Sequence, residues 1–238
     1  RFVLRELNAN AAELTELAAN DETNTVDAEL EDAILEEAGK FCVEVLAPIR
    51  QAGDKHGCSW DDGVVTTAPG FKEAWNSFVE SGWTTLACRP EHGGQGLQTR
   101  LSMLFDEMMC STNLAFGMFP GLTLGAYHAI DAHASESLKD TFLPPMATGQ
   151  WTGTMCLTEP QCGTDLGLIR TRAEPAPDDS WMLTGTKIFI SAGEHDLTDN
   201  IVHLVLARTP GARQGVGGIS LFIVPKLTAG ASGEWTKA

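Results

Sequence analysis

A change of repeat near residue 149 constrains this chain more than any other feature. Up to that point apolar residues recur every three or four positions, the spacing that paints one stripe along a helix. Beyond it they come in short β-branched runs, several of them alternating with polar residues. Leu30, Ile34, Ala38, Phe41, Val45 and Leu46 predict an amphipathic helix over residues 26–46, with Pro48 as its stop. Phe71, Trp75, Phe78 and Val79 predict a second, with Pro69 in its first turn and Gly82 closing it. Leu101, Leu104, Phe105, Met108 and Met109 mark a third, and the more apolar residues 114–130 a buried helix. A last helix, carrying Leu138, Phe142 and Leu143, is expected to start at a Ser135 cap and to break at Pro144 and Pro145. Strand candidates follow at 151–157, 168–173, 181–183, 187–190, 201–207 and 219–224, with turn signals at 175–180, Gly185 and Pro210-Gly211. Helices first and strands afterwards argue for an α+β chain with segregated parts rather than a doubly wound sheet. The expected division is a helical domain over 1–149 and a β-domain over 150–238, with the tail from Thr228 to Ala238 as a frayed linker.

Charge narrows the function classes. Asp plus Glu number 32 against 16 Lys plus Arg, a net charge of −16, and such a surface repels a phosphate backbone. Nucleic acid is therefore not an expected partner. The imbalance is uneven: residues 1–150 carry 9 basic and 23 acidic side chains, residues 151–238 carry 7 and 9. An anionic ligand would find its host in the second part. No apolar run approaches the roughly 18–20 residues that cross a bilayer, so no membrane span is expected. Arg1–Asn10 lacks the apolar block of a secretory signal, and a chain that opens on Arg1 reads as a processed or trimmed piece. Six cysteines form no C-x-x-C pair, and six histidines show no zinc-site spacing with them. Reduced thiols in a cytoplasmic protein without a metal are the expectation.

Three stretches carry candidate chemistry. The loop Glu91-His92-Gly93-Gly94-Gln95-Gly96 lacks the following Gly-Lys-Ser/Thr of a phosphate cradle, and it reads as a tight loop. The Rossmann fingerprint is absent. Cys156-Leu157-Thr158-Glu159-Pro160-Gln161-Cys162-Gly163-Thr164-Asp165 leaves a strand with hydroxyls and amides that suit an electron-rich ring edge or a carbonyl. It reads equally as an ordinary hydrogen-bonded turn. In Lys187-Ile188-Phe189-Ile190-Ser191, a strand would put Phe189 and Ser191 on one face, opposite Ile188 and Ile190. That face offers an aromatic plate beside a hydroxyl, or simply a core strand.

Occurring together, in this order, these stretches are identified as those of the acyl-CoA dehydrogenase family. The resemblance rests on Leu-Thr-Glu-x-x-x-Gly-Thr-Asp over 157–165, on Gly185-Thr186-Lys187-Ile188-Phe189-Ile190-Ser191, on the Pro90–Gly96 loop and on the helices-then-strands order. Residues 155–160, 166–168 and 191–197 are similar to the branch that contains 3-methylmercaptopropionyl-CoA dehydrogenases. The resemblance implies an all-α N-terminal domain and an antiparallel β-barrel or sandwich, with the C-terminal helical domain of the family absent from this chain. It implies FAD as cofactor: Met155, Cys156, Leu157 and Thr158 along the flavin, with Thr158 bonding its pyrimidine side. Phe189 would stack on the ring where many relatives use Trp, Ile190 would adjoin it, and Ser191 would sit near N5. Thr164 would touch the pantetheine arm of the substrate. Cys162 and Leu168 stand where small residues are common in the family.

The implied reaction is α,β-desaturation of an acyl-CoA thioester, 3-methylmercaptopropionyl-CoA among the candidates: a base removes the α-proton while hydride leaves the β-carbon for flavin N5. An oxidase of the same architecture and a non-enzymatic flavin-fold scaffold are the alternatives. In the family the base is a Glu from the C-terminal helical domain, so no catalytic residue is assigned here, and Glu159 and Glu194 are set aside. The piece alone is expected to be inactive and to bind FAD weakly or not at all. An electron-transfer flavoprotein is the implied acceptor, and a homodimer or homotetramer the implied assembly of the full-length protein. Arg170, Arg172, Arg208, Arg213 and Lys226 are the cations available to coenzyme A phosphates, each reading as plainly as a solvated surface residue.

Overall fold

The computed structural model describes residues 26–229 and 235–237. They pack as two units, one made of the stretch up to His56 with Pro69–Gly117, the other of Gly57–Ala68 with the stretch from Met118 onward.

In the first unit, α1 (Ala28–Phe41) starts at Asp27, whose carboxylate accepts the Leu30 amide at 2.8 Å, with Glu29 and Glu31 in the first turn. It runs into a π-turn, Cys42–Leu46, in which the Ala47 amide reaches back to the Cys42 carbonyl, and then into α2 (Ala47–His56). Pro48 therefore does not stop the helix as expected. The widened turn moves the carbonyl that its ring would strike and leaves no ladder bond waiting for its missing N–H. α3 (Phe71–Glu80) opens at Gly70 (φ 87°) and closes before Gly82 (φ 76°), so Pro69 precedes the cap instead of occupying the first turn. Gly70 is obligatory, because a Cβ there would lie 2.5 Å from Ile49 Cγ2. The core is aromatic: Phe41, Phe78, Trp83 and Phe105 pack with ring centroids 4.5–6.3 Å apart.

α4 (Thr99–His133) contains both the expected third helix and the apolar segment, interrupted at Asn113 (φ −151°, ψ 84°). The buried Asn113 carboxamide accepts the Phe116 amide at 3.2 Å, capping the second stretch, and donates to the Leu46 carbonyl at 3.2 Å. The expected buried helix is buried on one face only: Phe116, Phe119, Ala126, Tyr127 and Ile130 are inside, Leu114 and Met118 exposed.

In the second unit, β1 (Ser59–Asp61) and β2 (Val64–Thr66) form a hairpin around Asp62-Gly63, both at positive φ, a turn that an Asp-Gly pair specifies by itself. The helical part of the chain is thus not purely helical. α5 (Glu136–Ala147) continues through Pro144 and Pro145 instead of breaking there. The two carbonyls they leave unpaired belong to exposed Asp140 and Thr141, while Leu143, Met146 and Ala147 are buried and hold the last turn. Ser135 occupies the cap position, but its hydroxyl meets Ser137 Oγ at 3.1 Å and not a helix amide.

β3 (Trp151–Cys156), β6 (Asn200–Ala207) and β7 (Ser220–Pro225) form a three-stranded sheet with β6 in the centre. β6 pairs antiparallel with β7 and parallel with β3, Met155 opposite Leu204. The class is α+β, but the sheet is mixed and no closed barrel forms among the described residues. The long connection from Cys156 to Asn200 is what permits parallel pairing. β4 (Arg172–Pro175) and β5 (Trp181–Thr184) form a separate hairpin, and a 3₁₀ turn occupies Leu166–Leu168, where a strand was expected to begin. Residues 187–190 form a loop, not a strand. β8 (Leu227–Ala229) pairs with β9 (Trp235–Lys237), so the expected linker contains a hairpin-like pair.

Candidate functional site

β3 begins the candidate site. Its first half is locked from below: the Gly153 amide donates to Thr123 Oγ1 at 3.1 Å, and a Cβ on Gly153 would lie 2.6 Å from that of Ala126. Thr152 and Thr154 are buried hydroxyls, each with a partner. Thr152 Oγ1 lies 2.9 Å from His195 Nε2, while His195 Nδ1 accepts the Leu197 amide at 3.2 Å. The ring therefore carries its proton on Nε2 and donates to Thr152. Burial pushes the imidazole down to about 4, so it is neutral.

Where β3 ends, the chain turns through Glu159–Cys162, which exchange both backbone bonds, 2.8 and 3.0 Å. The Glu159 side chain is 3% exposed. Its Oε1 accepts Thr171 Oγ1 (2.6 Å), the Thr171 amide (3.0 Å) and Lys187 Nζ (2.9 Å); its Oε2 accepts the Arg170 amide (2.8 Å) and Gln161 Nε2 (2.6 Å). Burial alone would raise the carboxyl, but the bonds from Thr171, the Arg170 amide and Lys187 outweigh it and hold it down at about 2. All its lone pairs are engaged, which leaves none for a substrate proton. Glu194 is paired with Lys226. The Cys156 thiol is buried and raised to about 11, Lys187 offsetting only part of the shift, so it stays protonated and unreactive.

The 187–191 loop returns to this strand end. Lys187 Nζ donates to the Leu157 carbonyl at 3.1 Å as well as to Glu159, and the Ile188 amide donates to the Thr158 carbonyl at 2.9 Å. Beyond Phe189, Thr154 Oγ1 donates to the Ser191 carbonyl at 2.6 Å. Between these ties Phe189 has φ +56° and is 88% exposed. A bulky residue in the left-handed region costs about 1–3 kcal/mol, and no burial of the ring offsets it here. The expected two-sided strand, with Phe189 and Ser191 on one face, is therefore corrected: residues 187–190 form a loop in which Phe189 takes left-handed backbone. The hydroxyls of Thr158, Thr164 and Ser191 have no hydrogen-bond partner among the described residues, and Thr164 and Ser191 are exposed.

The model of the acyl-CoA dehydrogenase N-terminal domain matches residues 28–150, and that of the acyl-CoA dehydrogenase middle domain matches residues 154–237. The chain belongs to the acyl-CoA dehydrogenase family. It is 48% identical over 208 residues to the 3-methylmercaptopropionyl-CoA dehydrogenase of Ruegeria pomeroyi, a match covering 87% of this chain and 35% of that protein. Identity to a butyryl-CoA dehydrogenase of Syntrophomonas wolfei is 38%, over 86% of this chain and 34% of the relative. The chain thus spans about a third of the length of these curated relatives. Among solved structures, the glutaryl-CoA dehydrogenase of Mycobacterium smegmatis in complex with FADH2 matches with a TM-score of 0.65 and 25% identity, over 86% of this chain and 48% of that one. The butyryl-CoA dehydrogenase of Megasphaera elsdenii shares the fold, with a TM-score of 0.69 at 24% identity, over 87% of this chain and 52% of that one.

The structure of this chain brings the strand end at Met155–Thr158 and the Phe189–Ser191 loop side by side, joined by Lys187, Ile188 and Thr154. Thr164 lies on the exposed turn beyond Cys162. Cys162 is buried, whereas Leu168 is exposed. Of the candidate phosphate cations, Arg208 is spent on the carbonyls of Ile169, Gly167 and Arg213 at 2.9–3.0 Å, and Lys226 on Glu194. Arg170 and Arg172 are exposed. In the 91–96 loop, the amides of Gly93, Gly94, Gln95 and Gly96 all bond to carbonyls of residues 85–90, so none is left to cradle a phosphate. Among the described residues no metal-ligating cluster occurs, and no helix is long and apolar enough to cross a membrane. Sequence reasoning gave no role to Thr154 or Lys187. A lysine beside the apolar Ile188-Phe189-Ile190 was the one available signal, since a cation in such company needs a buried partner.

Proposed function

We propose that the protein carrying this chain is a flavin-dependent acyl-CoA dehydrogenase that desaturates an acyl-CoA thioester between its α and β carbons, with 3-methylmercaptopropionyl-CoA as substrate. The observation that carries the reading is Phe189: an aromatic ring held in strained backbone, open to solvent, next to hydroxyls without partners among the described residues. Strain and exposure together disfavour the free state, and a flat polar-edged ligand relieves the second. The residues present fit FAD in that respect. FAD, when bound, accepts the hydride that leaves the substrate's β-carbon. The ring of Phe189 would cover a face of the flavin and exclude water from it, with Ile190 beside it. The hydroxyls of Thr158 and Ser191 would bond its polar edge, and residues 155–157 would help to hold it. Thr164 reaches the pantetheine arm. The α-proton goes to a base that we do not place among the described residues, since Glu159 and Glu194 are both engaged. Identity to the Ruegeria pomeroyi relative supports the substrate, and the family supports an electron-transferring flavoprotein as acceptor, a homo-oligomeric assembly and the cytoplasm as location.

The test is the visible spectrum of the full-length protein, followed by anaerobic titration with a panel of acyl-CoAs. The flavin band should bleach, with 3-methylmercaptopropionyl-CoA more effective than butyryl-CoA. A flavin band that no acyl-CoA bleaches would refute the reaction, and stoichiometric peroxide without an added acceptor would identify an oxidase instead.

A further inference from the structure

We propose that the buried Glu159–Lys187 pair is the positioning device of this site, the element that fixes the Phe189 loop against the backbone of residues 157–158. The proposal rests on Phe189 being the plate for the flavin, and it assigns both residues a role without contact to the reacting atoms. Three separate stretches meet at the Glu159 carboxylate: its own turn, the 170–171 backbone and Lys187. Only Lys187 lies on the loop. Its ammonium reaches two acceptors at once, the Glu159 carboxylate at 2.9 Å and the Leu157 carbonyl at 3.1 Å. The next residue adds the Ile188–Thr158 backbone bond at 2.9 Å. Phe189 follows directly, at φ +56°.

A loop residue in the left-handed region relaxes unless both flanks are fixed. The flank after Phe189 is held by Thr154 on the Ser191 carbonyl, and the flank before it by Lys187. The chemistry also demands these residue types. Every partner of Glu159 is a donor, so a glutamine would turn an N–H pair toward other N–H groups, and an aspartate is one methylene too short to reach all five. Lys187, only 11% exposed in its side chain, would be an unpaired buried ammonium without Glu159.

The test compares the full-length wild-type protein with full-length Lys187→Met and, as a control, Gln161→Ala. Gln161 donates to the other oxygen of the same carboxylate, Oε2, while Lys187 donates to Oε1. The readouts are hydrogen exchange at the Ile188 amide in flavin-free protein, and the affinity with which stripped protein rebinds FAD. In Lys187→Met, Ile188 exchange should accelerate and FAD affinity fall, each by about 10-fold or more, the scale of one charge-assisted bond. In Gln161→Ala both should stay within about twofold of wild type. Unchanged Ile188 exchange in Lys187→Met, or an equal effect in Gln161→Ala, would overturn the positioning role. Should wild type fail to bind FAD at all, the flavin reading falls, while the exchange measurement still decides whether Lys187 fixes the loop.

Discussion

Replacing Phe189 by glycine should have effects of opposite sign on stability and on flavin binding. The backbone at this position has φ +56°, and the side chain is 88% exposed, so truncation removes almost no buried area. An L-residue in the left-handed region carries about 1–2 kcal/mol of strain that glycine does not. Glycine returns about 0.5–1 kcal/mol of this through the greater freedom of its unfolded chain. The flavin-free Phe189→Gly protein is therefore expected to be as stable as wild type or up to about 1.5 kcal/mol more so. At roughly 2–4 °C per kcal/mol for a chain of this size, Tm should be unchanged or rise by up to about 6 °C. Phe189→Ala keeps the Cβ and its strain, so it should fall close to wild type and below the glycine variant. A phenylalanine that served the core would behave in the opposite way, losing about 3–5 kcal/mol on truncation. Thermal unfolding followed by circular dichroism separates the two. A Tm drop of more than about 3 °C in Phe189→Gly would refute the claim that this ring does nothing for the free fold. The same substitution should weaken FAD binding, since aromatic stacking alone contributes about 0.5–1.5 kcal/mol.

Two further outcomes concern acid and packing. His195 is neutral in the fold, its value depressed by burial from 6.5 to about 4. Its contribution is complete above the unfolded value and is lost as pH falls from about 6.5 through 4, on the order of 3 kcal/mol by linkage. Glu159, depressed from 4.5 to about 2, acts in a lower window, its contribution present above pH 4.5 and lost toward pH 2. Urea midpoints between pH 7 and 4 should therefore fall steeply in wild type and less steeply in His195→Gln, and parallel slopes would contradict the assignment. In the 91–96 loop, Gly94→Ala would put a Cβ 2.0 Å from the Cys88 carbonyl oxygen, a backbone atom that cannot step aside. A loss of about 1–3 kcal/mol or more is expected in urea unfolding, and a neutral result would mean that the loop is not packed as described.

Most of the elements were legible from periodicity, because a one-sided apolar stripe can be buried in only one local conformation. Phe71, Trp75 and Phe78 formed the helix their spacing predicts, and Ile201 to Ala207 the central strand. The misses have a common cause. Pro48, Pro144 and Pro145 are stop signals only for an isolated helix. A π-turn and the burial of Leu143, Met146 and Ala147 carried the helix through them. Ile188 and Ile190 alternate like strand residues, yet Phe189 at φ +56° interrupts extended backbone, and Lys187 and Thr154 tie the segment to β3 and its end as a loop. The Asp62-Gly63 hairpin carried a local signal, an Asp-Gly turn, that the periodic pattern around it obscured.

Sequence by itself determined the chemical inventory: which stretches bear hydroxyls, an aromatic ring and a carboxylate, and the order in which helices give way to strands. These are properties of near neighbours, set by side-chain type and local repeat. Only the tertiary structure decided that Glu159 serves as a hub for five donors and not as a base, and that Lys187 ties a loop 28 residues away to it. Only there did Phe189 emerge as strained and exposed. Hydrogen bonds between distant segments depend on how the chain returns to itself, and no local pattern encodes that return.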